Sequence, residues 1–254
     1  MKKRTTKITL IGITILSILL FVSCSDKSSP TEPKEEQLTE TYGIDYENPE
    51  KYIISGTQST ITDEEFAQIS QQLKIEEINF TAIKKIYTWK DTHFKNINAG
   101  GKYVGKLTIN DLLKSKELSG CHDHGLVLVS LLRKYNVPAI FVDATGIDWA
   151  LNYPEKVQYF SGHVFVELFL DNKWILLDST AKLYIPDYDP TNPIIPITNA
   201  MENKGYFVMF KGLDPKDYGI TDIQQLNNQQ ELYASKIKND FDSFLFPNYT
   251  IMRL

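Results

Sequence analysis

Cys121, His163 and Asp178 are the residues of this chain whose types and spacing could together do chemistry. A thiol is activated as a nucleophile when a neighbouring imidazole takes its proton. A carboxylate hydrogen-bonded to one ring nitrogen fixes the tautomer that leaves the other nitrogen free to do so. Together the three groups would attack a carbonyl carbon, hold the acyl group as a thioester and pass it on. The 254 residues include only two cysteines, Cys24 and Cys121. If Cys24 is used elsewhere, Cys121 has no internal disulfide partner, and a lone thiol in an exported protein signals reactivity. Taken singly, each residue has an ordinary explanation. Cys121 could be a small buried hydrophobe, His163 a satisfied core or surface histidine, and Asp178 a strand-end carboxylate. A metal alternative also exists, because Cys121, His124, His163 and Asp178 are all zinc-ligand types. No ligand-pair spacing such as CxxC or HExxH accompanies them. His122-Asp123-His124 otherwise reads as a polar first helical turn, with Asp123 favoured by the helix dipole.

The segment Cys121 to Tyr135 is apolar nearly all round, with Leu126, Val127, Leu128, Val129, Leu131 and Leu132. Such a helix is buried centrally. Cys121 stands at its start, where backbone N–H groups and the dipole favour a thiolate. Asn136 and Pro138 mark its end. His163 to Leu170 and Lys173 to Asp178 are β-rich runs, and Asp171-Asn172 between them reads as a tight hairpin turn. His163 is eight residues before the turn and Asp178 six after it. The pattern predicts near neighbours, offset by about one pleat and sharing a face.

Further elements frame this pair. Thr62 to Glu65 is a capping box before Phe66, Ile69 and Leu73 at helical spacing. A second helix is predicted over Phe80 to Phe94, with Ile83, Ile86, Tyr87 and Lys90 on one face. Asn98 to Gly101 is a loop, and Thr108 begins a short helix. Strands are predicted over Ala139 to Ala144 and Tyr206 to Phe210, a long Pro-rich loop over Asp187 to Pro196, and a helix around Thr221 to Phe241. Helices first and strands after predict an α+β domain with an antiparallel sheet.

The motifs around the three residues resemble the transglutaminase-like family. Ser119-Gly120-Cys121 followed by Leu131-Leu132-Arg133 and Val137-Pro138-Ala139 is similar to its cysteine helix and exit. Gly162-His163-Val164-Phe165-Val166-Glu167 and Lys173-Trp174-Ile175-Leu176-Leu177-Asp178 resemble its histidine and aspartate strands, fifteen residues from His163 to Asp178. Gly125 stands where Ala is common, Phe165 where Trp is usual, and Asn136-Val137 where Gly-Ile is usual. The resemblance covers about residues 80–180. It implies a papain-like, transglutaminase-like fold, with N-terminal helices and a buried cysteine helix packed on an antiparallel sheet. It also implies thiol-dependent acyl transfer on an amide or peptide bond of a peptide or protein substrate. Cys121 would be nucleophile, His163 base then acid, and Asp178 its orienting partner. Hydrolysis, as a peptidase or amidase, is favoured over cross-linking because water is the default acceptor. A catalytically silent module that binds peptide or glycan in the same cleft is the alternative. The Cys121 backbone N–H is one expected oxyanion donor; the second is open, with Trp89 a guess.

The N-terminus carries a separate signal. Lys2, Lys3, Arg4 and Lys7 precede an apolar run, Ile8 to Val22, and composition turns polar after Cys24. This is a signal-peptide pattern. The fifteen-residue run is short against the roughly 20 that span a bilayer. Leu20 to Cys24 resembles the bacterial lipobox, with Phe21 departing from the usual Leu. That resemblance implies cleavage after residue 23 and lipidation of Cys24 with a diacylglycerol carrying acyl chains such as palmitate. The expected organisation is a signal over 1–23, a lipid-anchored Ser/Pro/Glu-rich tether over 24–42, and a domain over 43–254 with a C-terminal extension. The expected location is the cell envelope, membrane-anchored. Net charge is −5, with no basic stripe in the body of the chain, which argues against a nucleic-acid partner. No GxGxxG or P-loop is present and no cofactor is implied. The sequence leaves the oligomeric state open.

Overall fold

The computed structural model describes residues 42–254. The expected signal segment, Cys24 and the tether up to residue 41 lie outside the described residues. Helix α1 spans Asp63–Leu73 and starts where the capping box predicts: the Thr62 hydroxyl accepts from the Glu65 N–H and donates to its carboxylate. Helix α2 spans Phe80–His93, capped by the Asn79 side chain, and buries Ile83, Ile86, Tyr87 and Lys90. Strand β1, Lys95–Asn96, pairs in parallel with β2, Glu117–Leu118. Between them lies α3, Ile109–Ser115, closed by a reciprocal Thr108–Asp111 box.

Helix α4, Cys121–Lys134, is buried from His122 through Arg133. That is the consequence of an apolar surface with no polar stripe. Asn136 ends it in the left-handed conformation (φ 58°), and the Val137 N–H returns to the Leu132 carbonyl. Asn is one of the few residues that adopts this cap cheaply, so the change from the usual Gly costs little. Gly125 is a different matter. A Cβ there would lie 2.5 Å from Val164 Cγ1 and 2.9 Å from Phe141 Cε2. The helix therefore sits closer to the sheet than an alanine allows. Gly125→Ala should lower stability by about 1–2 kcal/mol, because overpacking outweighs the helix-propensity gain; urea unfolding measures it, and an unchanged midpoint would refute the close approach.

Strand β3 is Ala139–Gly146, followed by helix α5, Ile147–Asn152. Strands β4, Gly162–Leu170, and β5, Lys173–Asp178, form the expected hairpin, with Asp171 and Asn172 both at positive φ. Strands β6 (Leu183–Ile185), β7 (Ile194–Ile195) and β8 (Tyr206–Gly212) follow, then α6 (Ile223–Asp240) and β9 (Met252–Arg253). The seven-stranded sheet runs β7-β8-β3-β4-β5-β6-β9, antiparallel at every step. Several elements depart from the sequence reading, among them the short strands β1, β2, β6 and β9, which were not expected. The long loop contains β7, held to two residues by Pro193 and Pro196, since a proline cannot donate to the ladder. Helix α5 was not expected; its first N–H groups, on Asp148 and Trp149, donate to the carboxylate of distant Glu202.

The sheet has a core on each face. Val164, Val166, Leu168 and Phe141 pack with α4 and the other N-terminal helices. Ile140, Val142, Phe165, Trp174 and Leu176 pack on the opposite face, against Tyr42, Tyr46 and Tyr52 of the N-terminal segment. A buried ion pair crosses that second face. Lys211 Nζ lies 2.5 Å from Glu167 Oε1, and it also donates to the Tyr46 hydroxyl and the Pro190 carbonyl. The Tyr46 hydroxyl donates to the other Glu167 oxygen. Among the described residues no helix is long and apolar enough to cross a membrane.

Candidate active site

Hairpin register sets the first pair. Phe165 stands opposite Asp178, so His163, two residues earlier, is one pleat away on the same side. His163 Nε2 lies 3.0 Å from Asp178 Oδ2. A carboxylate can only accept, so Nε2 carries the proton and Nδ1 is the free base in neutral imidazole. The other Asp178 oxygen accepts the N–H groups of Thr180 and Ala181, both at 2.7 Å. The ring is held edge-on to Phe165 and tilted against Tyr206.

Burial alone would depress the His163 pKa, but the Asp178 charge and hydrogen bond, with a hydrogen bond to Cys121, raise it above the ordinary value. Burial pushes Asp178 the other way, and the His163 charge and hydrogen bond, with the two backbone N–H groups, bring its carboxyl below the usual range. Cys121 is N-terminal in α4, after Gly120. A Cβ on Gly120 would come within 3.0 Å of the Gly101 nitrogen, so glycine lets the 98–101 loop close over the thiol's flank. Ala99 and Gly101 N–H groups both donate to the Ser119 carbonyl there. The Ser179 hydroxyl donates to the Cys121 carbonyl, tying the end of β5 to the start of α4. The three expected residues thus meet at one place, where α4 begins and the β4–β5 hairpin opens.

The His122-Asp123-His124 turn is polar, as read, but it is internal and each member has its own partner. Asp123 accepts from the Ser119 N–H and hydroxyl. His122 Nε2 lies 3.1 Å from Asp143, which also accepts from the Tyr218 hydroxyl. Burial opposes protonation of His122, yet the Asp143 charge wins and raises its pKa to about 9. His124 Nδ1 lies 2.9 Å from the Lys90 ammonium. Burial and that charge lower His124 to about 4, so it is neutral at pH 7 and accepts at Nδ1. Lys90 is fully buried, over the Tyr87 ring, and donates to the Ser179 carbonyl next to Asp178. Among the described residues no three His, Cys, Asp or Glu side chains are placed together to hold a metal.

Trp89 does not serve as an oxyanion donor. Its indole N–H donates to Gln72, its ring stacks on His93, and it lines no part of the space beside Cys121. That space is a cleft of about 640 Å³. One wall is the Gly100-Gly101 loop with Cys121 and His122, and the other is Phe160 and Gly162. Its far side is built by α6, through Leu226 and Gln230 among others. Sequence reasoning missed that contribution; it placed a helix around Thr221 to Phe241 but not what the helix covers. Lys90 was legible as one of four residues on a helix face, but nothing local marked its partners.

Comparison with known proteins bears on this geometry. Residues 67–179 match the sequence model of the Transglutaminase-like superfamily. No curated protein matches the chain. Among solved structures, a candidate cysteine protease from Cytophaga hutchinsonii is 16% identical with a TM-score of 0.47, over 73% of this chain and 54% of that one. A structure described as a TGase is 12% identical with a TM-score of 0.33, over 66% of this chain and 46% of that one. The chain thus spans about half the length of the solved structures it matches. The matched segment begins inside α1 and ends one residue beyond Asp178, so it includes Cys121, His163 and Asp178. The chain carries a transglutaminase-like superfamily domain at residues 67–179.

Proposed function

We propose that the protein catalyses thiol-dependent acyl transfer on an amide or peptide bond, with water as the usual acceptor. The observation that supports it most is the His163–Asp178 pair held against Cys121, with Asp178 fixing the tautomer that leaves Nδ1 as base. Cys121 Sγ attacks the carbonyl carbon as its proton passes to His163 Nδ1. The N-terminal N–H groups of α4 face the oxygen that gains charge. Collapse breaks the C–N bond, and the departing amine takes the proton from His163. Water then adds to the thioester and gives its proton to His163, which returns it to the thiolate as the acid leaves. An amine in place of water would give cross-linking. The cleft offers no lysine or arginine and no second dedicated amine pocket is needed for hydrolysis.

The test is alkylation of Cys121 by iodoacetamide at pH 6–7, on the chain from residue 25. His163→Ala should slow it about tenfold or more, since the base is gone. Equal rates in both proteins would leave a silent binding module as the better reading. The location is also a proposal, resting on the N-terminal pattern alone: Cys24 carries the lipid and holds the domain at the cell envelope. Cys24→Ser should move the protein from the membrane to the soluble fraction; retention at the membrane would refute it.

A further inference from the structure

The side chain of Gln230 is the most deeply placed carboxamide facing the cleft. The residue is 2% exposed, on the cleft side of α6. Its amide makes no hydrogen bond among the described residues, and it is not sealed off, since its polar atoms are absent from those enclosed without a partner. Amides so deep are nearly always bonded. One flank of the cleft near it is apolar: Phe160, Met201, Ile223 and Leu226. The two charged side chains at the cleft, His122 and Asp143, face each other, leaving only the enclosed His122 Nδ1 without a partner. Gly162, directly before His163, is what admits the amide: a Cβ there would lie 2.4 Å from Gln230 Nε2.

We infer that Gln230 orients the substrate by pairing its carboxamide with a peptide group, and that the substrate is a peptide with an apolar side chain beside the amide to be attacked. A carboxamide offers a donor and an acceptor in one plane, the same pair that a peptide group presents. The bound peptide therefore satisfies both ends of Gln230 while its side chain covers Phe160 and Leu226. A carboxylate, which only accepts, would leave the Gln230 carbonyl unpaired. The inference places α6, outside the matched family segment, in substrate recognition. It rests on the acyl-transfer reading only for which amide is attacked, not for peptide binding itself.

The experiment compares two Cys121 reagents on the chain from residue 25. Iodoacetamide is too small to need the clamp, whereas acetyl-Leu-Leu vinyl sulfone needs it. In Gln230→Met, which keeps the bulk, and Gln230→Glu, which keeps the acceptor and loses the donor, the peptidyl reagent should slow about tenfold. Iodoacetamide should stay within about twofold. Gly162→Ala, which displaces the amide from the β4 side with the sequence of α6 unchanged, should reproduce the loss. An unchanged peptidyl rate overturns the inference, and so does an equal fall for both reagents, which would make Gln230 a merely structural residue. If Cys121 reacts with neither reagent faster than free cysteine, the acyl-transfer reading fails. Calorimetry of acetyl-Leu-Leu-amide on Cys121→Ala, with and without Gln230→Met, then decides the peptide clamp alone: a tenfold weaker Kd in the double variant supports it, and equal or undetectable binding in both refutes it.

Discussion

Asp178→Asn is expected to lower Cys121-dependent amide turnover by about 10³–10⁴-fold while the fold persists. Thr180 and Ala181 N–H groups hold one Asp178 oxygen at 2.7 Å each. In the variant they keep the remaining oxygen and turn the new NH₂ toward His163. Nε2 must then accept, so the proton sits on Nδ1, and His163 can no longer take one from the thiol. A loss under tenfold would mean that Asp178 only braces the strand end. The same substitution has a stability signature whose sign is fixed. His163 has a raised pKa in the fold, so its contribution is complete below about pH 6.5 and is lost as pH rises through the folded value. Asp178 is lowered, so its contribution is complete above about pH 4 and is lost as pH falls through its folded value. The stability gap between wild type and variant should be widest between these limits and narrow on both sides. A gap that does not vary with pH would refute the pairing.

Glu167→Ala should cost about 3–5 kcal/mol, far more than the side chain's packing would suggest. Glu167 and Lys211 are both fully buried, 2.5 Å apart, on the sheet face opposite α4. Removing the carboxylate leaves an ammonium in an interior otherwise furnished by Tyr42, Tyr46 and Tyr188. The Tyr46 hydroxyl also loses its acceptor. Glu167→Met combined with Lys211→Met removes both charges at similar volume and should recover most of the loss. Urea unfolding of the three proteins gives the coupling. A single variant within 1 kcal/mol of wild type would show that water or a neighbour already neutralises Lys211.

Local pattern carried much of this fold. The Thr62 box, the all-round apolar Cys121 helix and the Asp171-Asn172 turn each act over a few residues, and each stands within one or two residues of its expected place. The His163–Asp178 contact was legible for the same reason, because a two-residue turn fixes register by counting. What sequence could not supply was partnership at long range. Helix α5 owes its start to Glu202, more than fifty residues on. Strand β7 exists because β8 pairs with it. Lys90 read only as one of four residues on a helix face, yet it ends between His124 and Ser179. Trp89 looked available by residue type, but Gln72 of α1 holds its N–H. Gln230 lies over a hundred residues from Cys121, and no spacing rule links them.

The sheet order carries a last consequence. The matched segment ends at Ser179, yet β3 and β5, both inside it, have neighbours outside it: β8 beside β3, and β6 beside β5. A fragment trimmed to residues 67–179 would bare one edge of each strand. Every residue of β3 and all but the first of β5 are buried in the whole body. Two such edges, apolar over most of both faces and carrying only Asp143 on β3 and Lys173 and Asp178 at the ends of β5, are templates for strand-by-strand self-association. The length of chain that the family model matches and the length that pairs both edges of β3 and β5 are therefore different quantities here.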